Sequence, residues 1–192
     1  MRVGILYEGI YDKKPLFILI EKIVKSILPE GEEALVFIPK PSHGSIAGEI
    51  KAAAELFFGI KDCDLAVFVA DTDGDSSLPT KIRASASSHC RSVNSSAKYA
   101  FAFPNPELEQ WFIDEQDSLK HILSLPKEAS IPYPDMSPKE RVVKLINERP
   151  HQSITESNMN IYEKIAEKIH ILKLKGCSPS FKSFCRSLQR AL

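Results

Sequence analysis

Four short apolar runs constrain the fold of this chain more than anything else in it. They read RVGILYE (2–8), ALVFIP (34–39), LAVFVA (65–70) and YAFAFP (99–104). Each is too short for a buried helix and rich in the β-branched and aromatic residues that fit a pleated surface. The segments between them carry helical periodicity. In 12–28, Leu16, Ile20, Ile23, Val24 and Ile27 recur at helical spacing, with Asp12 placed to cap and Pro15 in the tolerated first turn. In 45–59, Ile46, Ile50, Ala53, Ala54 and Phe57 share one face, a third helix begins near Pro79, and a fourth is expected over 106–123. Strand–helix alternation of this kind predicts an α/β fold, a mostly parallel, Rossmann-like four-stranded sheet flanked by helices.

The last third reads differently. A loop rich in Pro and polar residues (124–137) leads to three amphipathic segments, 138–148, 159–174 and 179–191. They are expected to form a helical cap on the sheet, so that 1–137 is the α/β domain and 138–192 an extension of the same structural unit. No apolar run approaches the roughly 20 residues of a membrane span. MRVGILYEG lacks a signal-peptide pattern. Cys63, Cys90, Cys177 and Cys185 are scattered, with no CxxC pair, which suits reduced thiols and a cytoplasmic protein.

Formal charge sums to zero but is unevenly placed. Residues 1–137 hold 14 Lys/Arg against 20 Asp/Glu, and residues 138–192 hold 11 against 5. A basic tail on an acidic body suits a polyanion held near acids; solvated helix faces explain the same charges. Open parallel sheets build their sites at the carboxyl ends of their strands. By that rule Glu8, with Asp12 one loop on, meets Asp71 and Asp73, with Asp75 behind, and Glu107 and Glu109 after the fourth strand. Carboxylates grouped with few histidines suit a hard, oxygen-loving ion, Mg²⁺ or Mn²⁺.

Three motifs compete for DTDGDSS (71–77). An EF-hand needs Gly and Glu where Ser76 and Ile82 stand, and a helix before it. A haloacid-dehalogenase-type nucleophile motif belongs on the first strand, with a later acidic pair that this chain lacks. A nucleotide-sugar transferase DxD finds no other support in the sequence. The three acidic stations together, YEGIYD, VADTDGD and PNPELEQWF, resemble the TOPRIM domain of topoisomerases, primases and OLD-family (overcoming lysogenisation defect) nucleases. The closest likeness is to small stand-alone prokaryotic TOPRIM-like proteins, a group associated with phage defence and with a neighbouring ATPase. The ending CSPSFKSFCRSL (177–188) is similar to that group too. The resemblance implies a Mg/Mn-dependent nuclease with Glu8 as general acid or base, and Asp71, Asp73, Asp12 and Glu109 as metal-site acids. Asp75 and Glu107 have no firm counterpart and rank behind these.

Plainer roles stand beside these. Asp12 can simply cap its helix, Asp75 serve a turn, Glu107 favour a helix N-terminus and Asn105 cap the helix of Glu109. Trp111 and Phe112 are expected in the core. Gly9 and Gly74 are expected to allow turns after Glu8 and Asp73. Lys40, Lys81 and Arg83 are candidate substrate anchors, and His43 and His89 are placed in loops. Within the tail, Lys139, Arg141, Lys144, Lys173, Lys175, Lys182, Arg186 and Arg190 are candidates to hold phosphates. Two function classes result: a metal-dependent nuclease or phosphodiesterase acting on nucleic acid, and an inactive TOPRIM-like module that binds nucleic acid, nucleotide or a partner ATPase.

Overall fold

The computed structural model describes residues 1–9, 12–28, 35–148 and 157–192. Its sheet has four parallel strands, β1 (Arg2–Tyr7), β2 (Val36–Pro41), β3 (Leu65–Val69) and β4 (Tyr99–Ala102), in the order β2-β1-β3-β4. The expected α/β architecture is present. The chain runs from β1 outward to β2, then crosses back over β1 to β3. The strand order therefore reverses between β1 and β3, and a crevice opens beyond their carboxyl ends.

Alternation along each strand feeds two cores. Val3, Ile5 and Tyr7 of β1, with Leu65, Val67 and Val69 of β3, face α1 (Lys13–Ile27) and the later helices. Leu6, Ala66, Phe68 and Phe101 face α2 (Ile46–Ala54) and α3 (Leu78–Val93). Both faces are covered, so β3 is buried along its whole length. The strand expected at 34–39 runs instead from Val36 to Pro41, and residue 34 lies outside the described residues. It takes in two prolines because it is an edge. Val36 N–H and Ser42 N–H both donate inward, to Met1 and Tyr7 carbonyls, so by the period of two Pro39 and Pro41 sit where N–H groups would face outward.

Three helices differ from expectation. The 45–59 helix ends in a π-helical turn, Glu55–Ile60. The single helix expected over 106–123 is two, α4 (Glu109–Asp114) and α5 (Gln116–Ile122). They part at Glu115, a buried acid whose carboxylate accepts from Ser118 N–H at 3.2 Å and so caps α5. The 159–174 helix likewise divides into α7 (Asn158–Lys168) and α8 (Ile171–Cys177). Lys22 of α1 is the cause: its ammonium donates to the carbonyls of Ala166, Glu167 and Ile169, taking up the free end of α7. Among the described residues no helix is long and apolar enough to cross a membrane.

The remaining helices, α6 (Pro138–Asn147) and α9 (Pro179–Ala191), pack onto the same body. α9 lies along the outer edge of β4, where Ser187 Oγ accepts from Phe101 N–H at 2.9 Å. Trp111 is fully buried, as is Phe112. Its indole N–H donates to Ser180 Oγ at 2.8 Å and its ring stacks on Phe184 at 5.9 Å. The SPSFKSFC segment thus grips the helix that carries Glu109.

Candidate functional site

Glu8 follows β1 directly and Asp71 follows β3 by two residues, so the two acids stand across the reversal point of the sheet. Glu8 is half-buried beside the N-terminus of α2. Burial pushes its carboxyl up first, and the charges of Asp73 and Asp12 push further, while the N–H groups of Ile46 and Asp71 oppose them. Asp71 is pushed up to about 8, by burial first and then by Asp12, Glu109, Glu8 and Asp73. The other four acids expected at the site are therefore all close enough for their charge to act on Asp71.

Asp12 stands at the N-cap position of α1, yet its side chain makes no capping bond. It turns back and accepts from Gly9 N–H at 2.9 Å. Gly9 is needed for this approach rather than for a sharp turn: a Cβ there would lie 2.3 Å from the Asp12 Oδ2. Burial also raises Asp12, with Lys139 pulling it down and Glu107 pushing it up. Gly74 does serve a turn, at φ +82°, and Asp73 before it is left-handed too, at φ +46°. That turn is anchored on the next loop by Thr72 and Asp73 N–H groups, both donating to the Pro106 carbonyl, and by Thr72 Oγ1 donating to Asn105 Oδ1 at 3.0 Å. Asn105 therefore ties two strand-end loops together and does not cap α4, whose N-cap position is Leu108.

Glu109 is 3% exposed. Tyr162 Oη donates to its Oε1 at 2.8 Å, and burial still leaves the carboxyl raised. Tyr162 went unnoticed in the sequence, where it reads as one more residue on the apolar face of a tail helix. Lys139, at the start of α6, supplies positive charge that acts on both Asp12 and Glu109. Its N–H donates to Glu107 Oε2 at 2.9 Å, so Glu107 serves the N-terminus of α6, not that of its own helix.

The outlying candidates sort by what they touch. Asp75 is exposed and accepts from Ser77 N–H (2.7 Å) and Oγ (2.6 Å), a turn role that leaves it outside the acid group. Lys40 is engaged by Glu49, which also accepts from His43 N–H at 2.6 Å. Lys81 lies 3.7 Å from Asp75. Arg83 spreads over the rings of Phe101 and Phe103, at 4.8 and 5.1 Å. His89, expected in a loop, is inside α3. In the tail, Arg141 donates to the Ile131 and Pro132 carbonyls, Lys144 covers the Tyr133 ring and Lys173 pairs with Asp117 and Glu115. The Cys63, Cys90 and Cys185 thiols are buried and pushed up to about 11, 12 and 11, which leaves them poor nucleophiles.

Among the described residues no three of His, Cys, Asp and Glu stand gathered as a set of metal ligands. The chemistry of the donors nevertheless fits a hard divalent ion, because buried carboxylates that raise one another are relieved when a cation enters. Compared with known proteins, the chain matches no family model, no curated protein and no solved structure.

Proposed function

We propose that this protein is a TOPRIM-like, Mg²⁺- or Mn²⁺-dependent phosphodiesterase, most simply a nuclease. One observation carries the reading: acids that follow three strand ends act by their charge on Asp71, at the point where a parallel sheet reverses its strand order. Asp71 and Asp73 would hold the ion, with Asp12 and Glu109 beside them. A bound divalent ion would supply charge neutralisation at the phosphate and a more acidic water.

The chain's own residues do the rest. Hydrolysis joins a water oxygen to phosphorus, breaks the bond to the leaving oxygen and moves one proton from the water to that oxygen. Glu8, half-buried with its carboxyl raised by burial and by the charge of Asp73, is the group assigned to take or give that proton. Tyr162 and Gly9 N–H hold Glu109 and Asp12 in place through hydrogen bonds, leaving each carboxylate further lone pairs.

The test is a calorimetric titration with Mg²⁺ and Mn²⁺ of wild type and Asp71→Asn, followed by assays on plasmid and tRNA. Wild type should bind metal and cleave, and the variant should lose both. At a hundredfold excess over Kd, metal should stabilise wild type by about 2.7 kcal/mol. Equal thermal shifts for the two proteins would remove the metal site. Metal binding without hydrolysis would favour the module that binds nucleic acid, nucleotide or a partner ATPase.

A further inference from the structure

Two adjoining cavities run from the acid loop along the outer edge of β4. One, of about 410 Å³, is lined by Thr72, Gly74, Ser76, Phe103 and Asn105, together with Asp75, Arg83 and Ser183. The other, of about 320 Å³, is lined by Tyr99, Arg186 and Arg190, and again by Arg83 and Ser183. Shared residues make them one trough. It begins at the residues flanking Asp73 and ends on the exposed face of α9.

Its chemistry is of two kinds. Tyr99, Phe101 and Phe103 alternate along β4 and its continuation, so their rings form a row on one face of the sheet, 5.7 and 5.8 Å apart. Tyr99 and Phe103 are half-buried, leaving ring surface open to the trough. Over that row lies the Arg83 guanidinium, close enough to Arg190 for the two positive charges to act on each other. Among the described residues no carboxylate pairs with Arg83, Arg186 or Arg190, whereas Lys40, Lys173 and Lys14 are each engaged by an acid. Asp75, the acid that lines the trough, is held by Ser77 and Lys81.

We infer that this trough is a binding path for a single-stranded polynucleotide, with phosphates on Arg83, Arg186 and Arg190 and bases against Tyr99 and Phe103. Partly exposed aromatic rings, beside guanidinium groups that no carboxylate among the described residues engages, match a strand whose bases are unstacked and available. A duplex buries those base faces and would use the arginines alone. The inference rests on the nuclease reading for its purpose, since the path leads to the acids, but binding along it does not require metal.

The experiment is fluorescence anisotropy with labelled oligo-dT and oligo-U of about 12 nucleotides, a length within the usual range for such sites. The same-length duplex serves as comparison, in EDTA at low salt. Wild type should bind at least one of the single strands, and more tightly than the duplex. Arg186→Glu with Arg190→Glu changes exposed side chains that make no hydrogen bond among the described residues, and should weaken binding at least about tenfold. The slope of log affinity against log salt should fall by about 0.7 for each phosphate that the variant no longer holds. Arg83→Ala should weaken binding in the same direction, and Lys25→Ala on α1 should leave it unchanged. Failure of both single strands to bind, equal binding of the duplex, or wild-type affinity in the double variant would overturn the path. Asp71→Asn should bind the strand at least as tightly as wild type. If wild type binds but never cleaves with Mn²⁺, the nuclease reading falls and the path stands.

Discussion

Carboxylates occupy two kinds of place in this molecule, and the contrast between them locates the site better than any single residue does. Around the periphery, Glu49 meets Lys40, and Asp117 meets Lys173. Their partners hold both carboxyls low, Glu49 at about 2. Beyond the carboxyl ends of β1, β3 and β4, Glu8, Asp12 and Asp71 are partly buried and Glu109 is buried, and all four carboxyls are raised, by burial first. The residue types are the same in both places; the surroundings reverse the sign. A fold that satisfies its outer acids and leaves its inner ones in conflict has kept local instability where a cation can relieve it.

The largest test of that contrast is activity. On the proposed reading, Asp71→Asn should lower Mn²⁺-supported hydrolysis at least about a thousandfold, or ~4 kcal/mol. Asp117→Asn, from the paired set, should stay within about twofold in the same single-turnover assay. Equal effects would dissolve the distinction.

Next comes pH. Asp71 has its folded value raised from 3.8 to about 8, so the folded state keeps a proton that the unfolded state gives up. Its stabilising contribution is complete below about pH 4 and is lost as pH rises toward 8, at no more than about 1.4 kcal/mol per pH unit. Urea denaturation of the metal-free protein should therefore show stability falling from pH 5.5 to 8.5, and Asp71→Asn should flatten the fall. Glu49 works in the opposite sense, contributing above its ordinary value and losing that contribution as pH drops toward 2. A wild-type protein that gains stability across pH 5.5–8.5 would contradict the placement of Asp71.

Tyr162→Phe takes a hydrogen bond from buried Glu109 and should cost about 1–2 kcal/mol in the same denaturation experiment. Lys40→Met breaks a partly exposed pair and should cost less than about 1 kcal/mol. If the Lys40 variant proved the more damaging of the two, the outer pairs would matter more than the inner acids.

Much of this was legible in the sequence because it depends on local pattern. The four strands, the acids at their ends and the core role of Trp111 follow from periodicity and from where polar residues interrupt apolar runs. What could not be read depends on partners far away in the chain. The breaks at Glu115 and Ile169 arise from a capping carboxylate and from Lys22, 147 residues before Ile169. That Glu49 engages Lys40 could not be read from the sequence, nor could Arg186 and Arg190 be separated from Arg141 and Lys173. Charge alone cannot say which cations are already engaged. Tyr162 has the same origin: its hydroxyl matters only because α7 brings it to Glu109.

The edges of the sheet carry a consequence for how copies of this chain can associate. At β2 two outward donors are missing because Pro39 and Pro41 occupy them, and at β4 the Phe101 N–H is already taken by Ser187. Neither side offers a ready template for a foreign strand, so the finished protein is guarded against strand-by-strand aggregation. The two guards do not arrive together during synthesis. The prolines travel with their strand, but Ser187 follows Phe101 by 86 residues, so a nascent chain exposes the β4 border well before α9 can shield it.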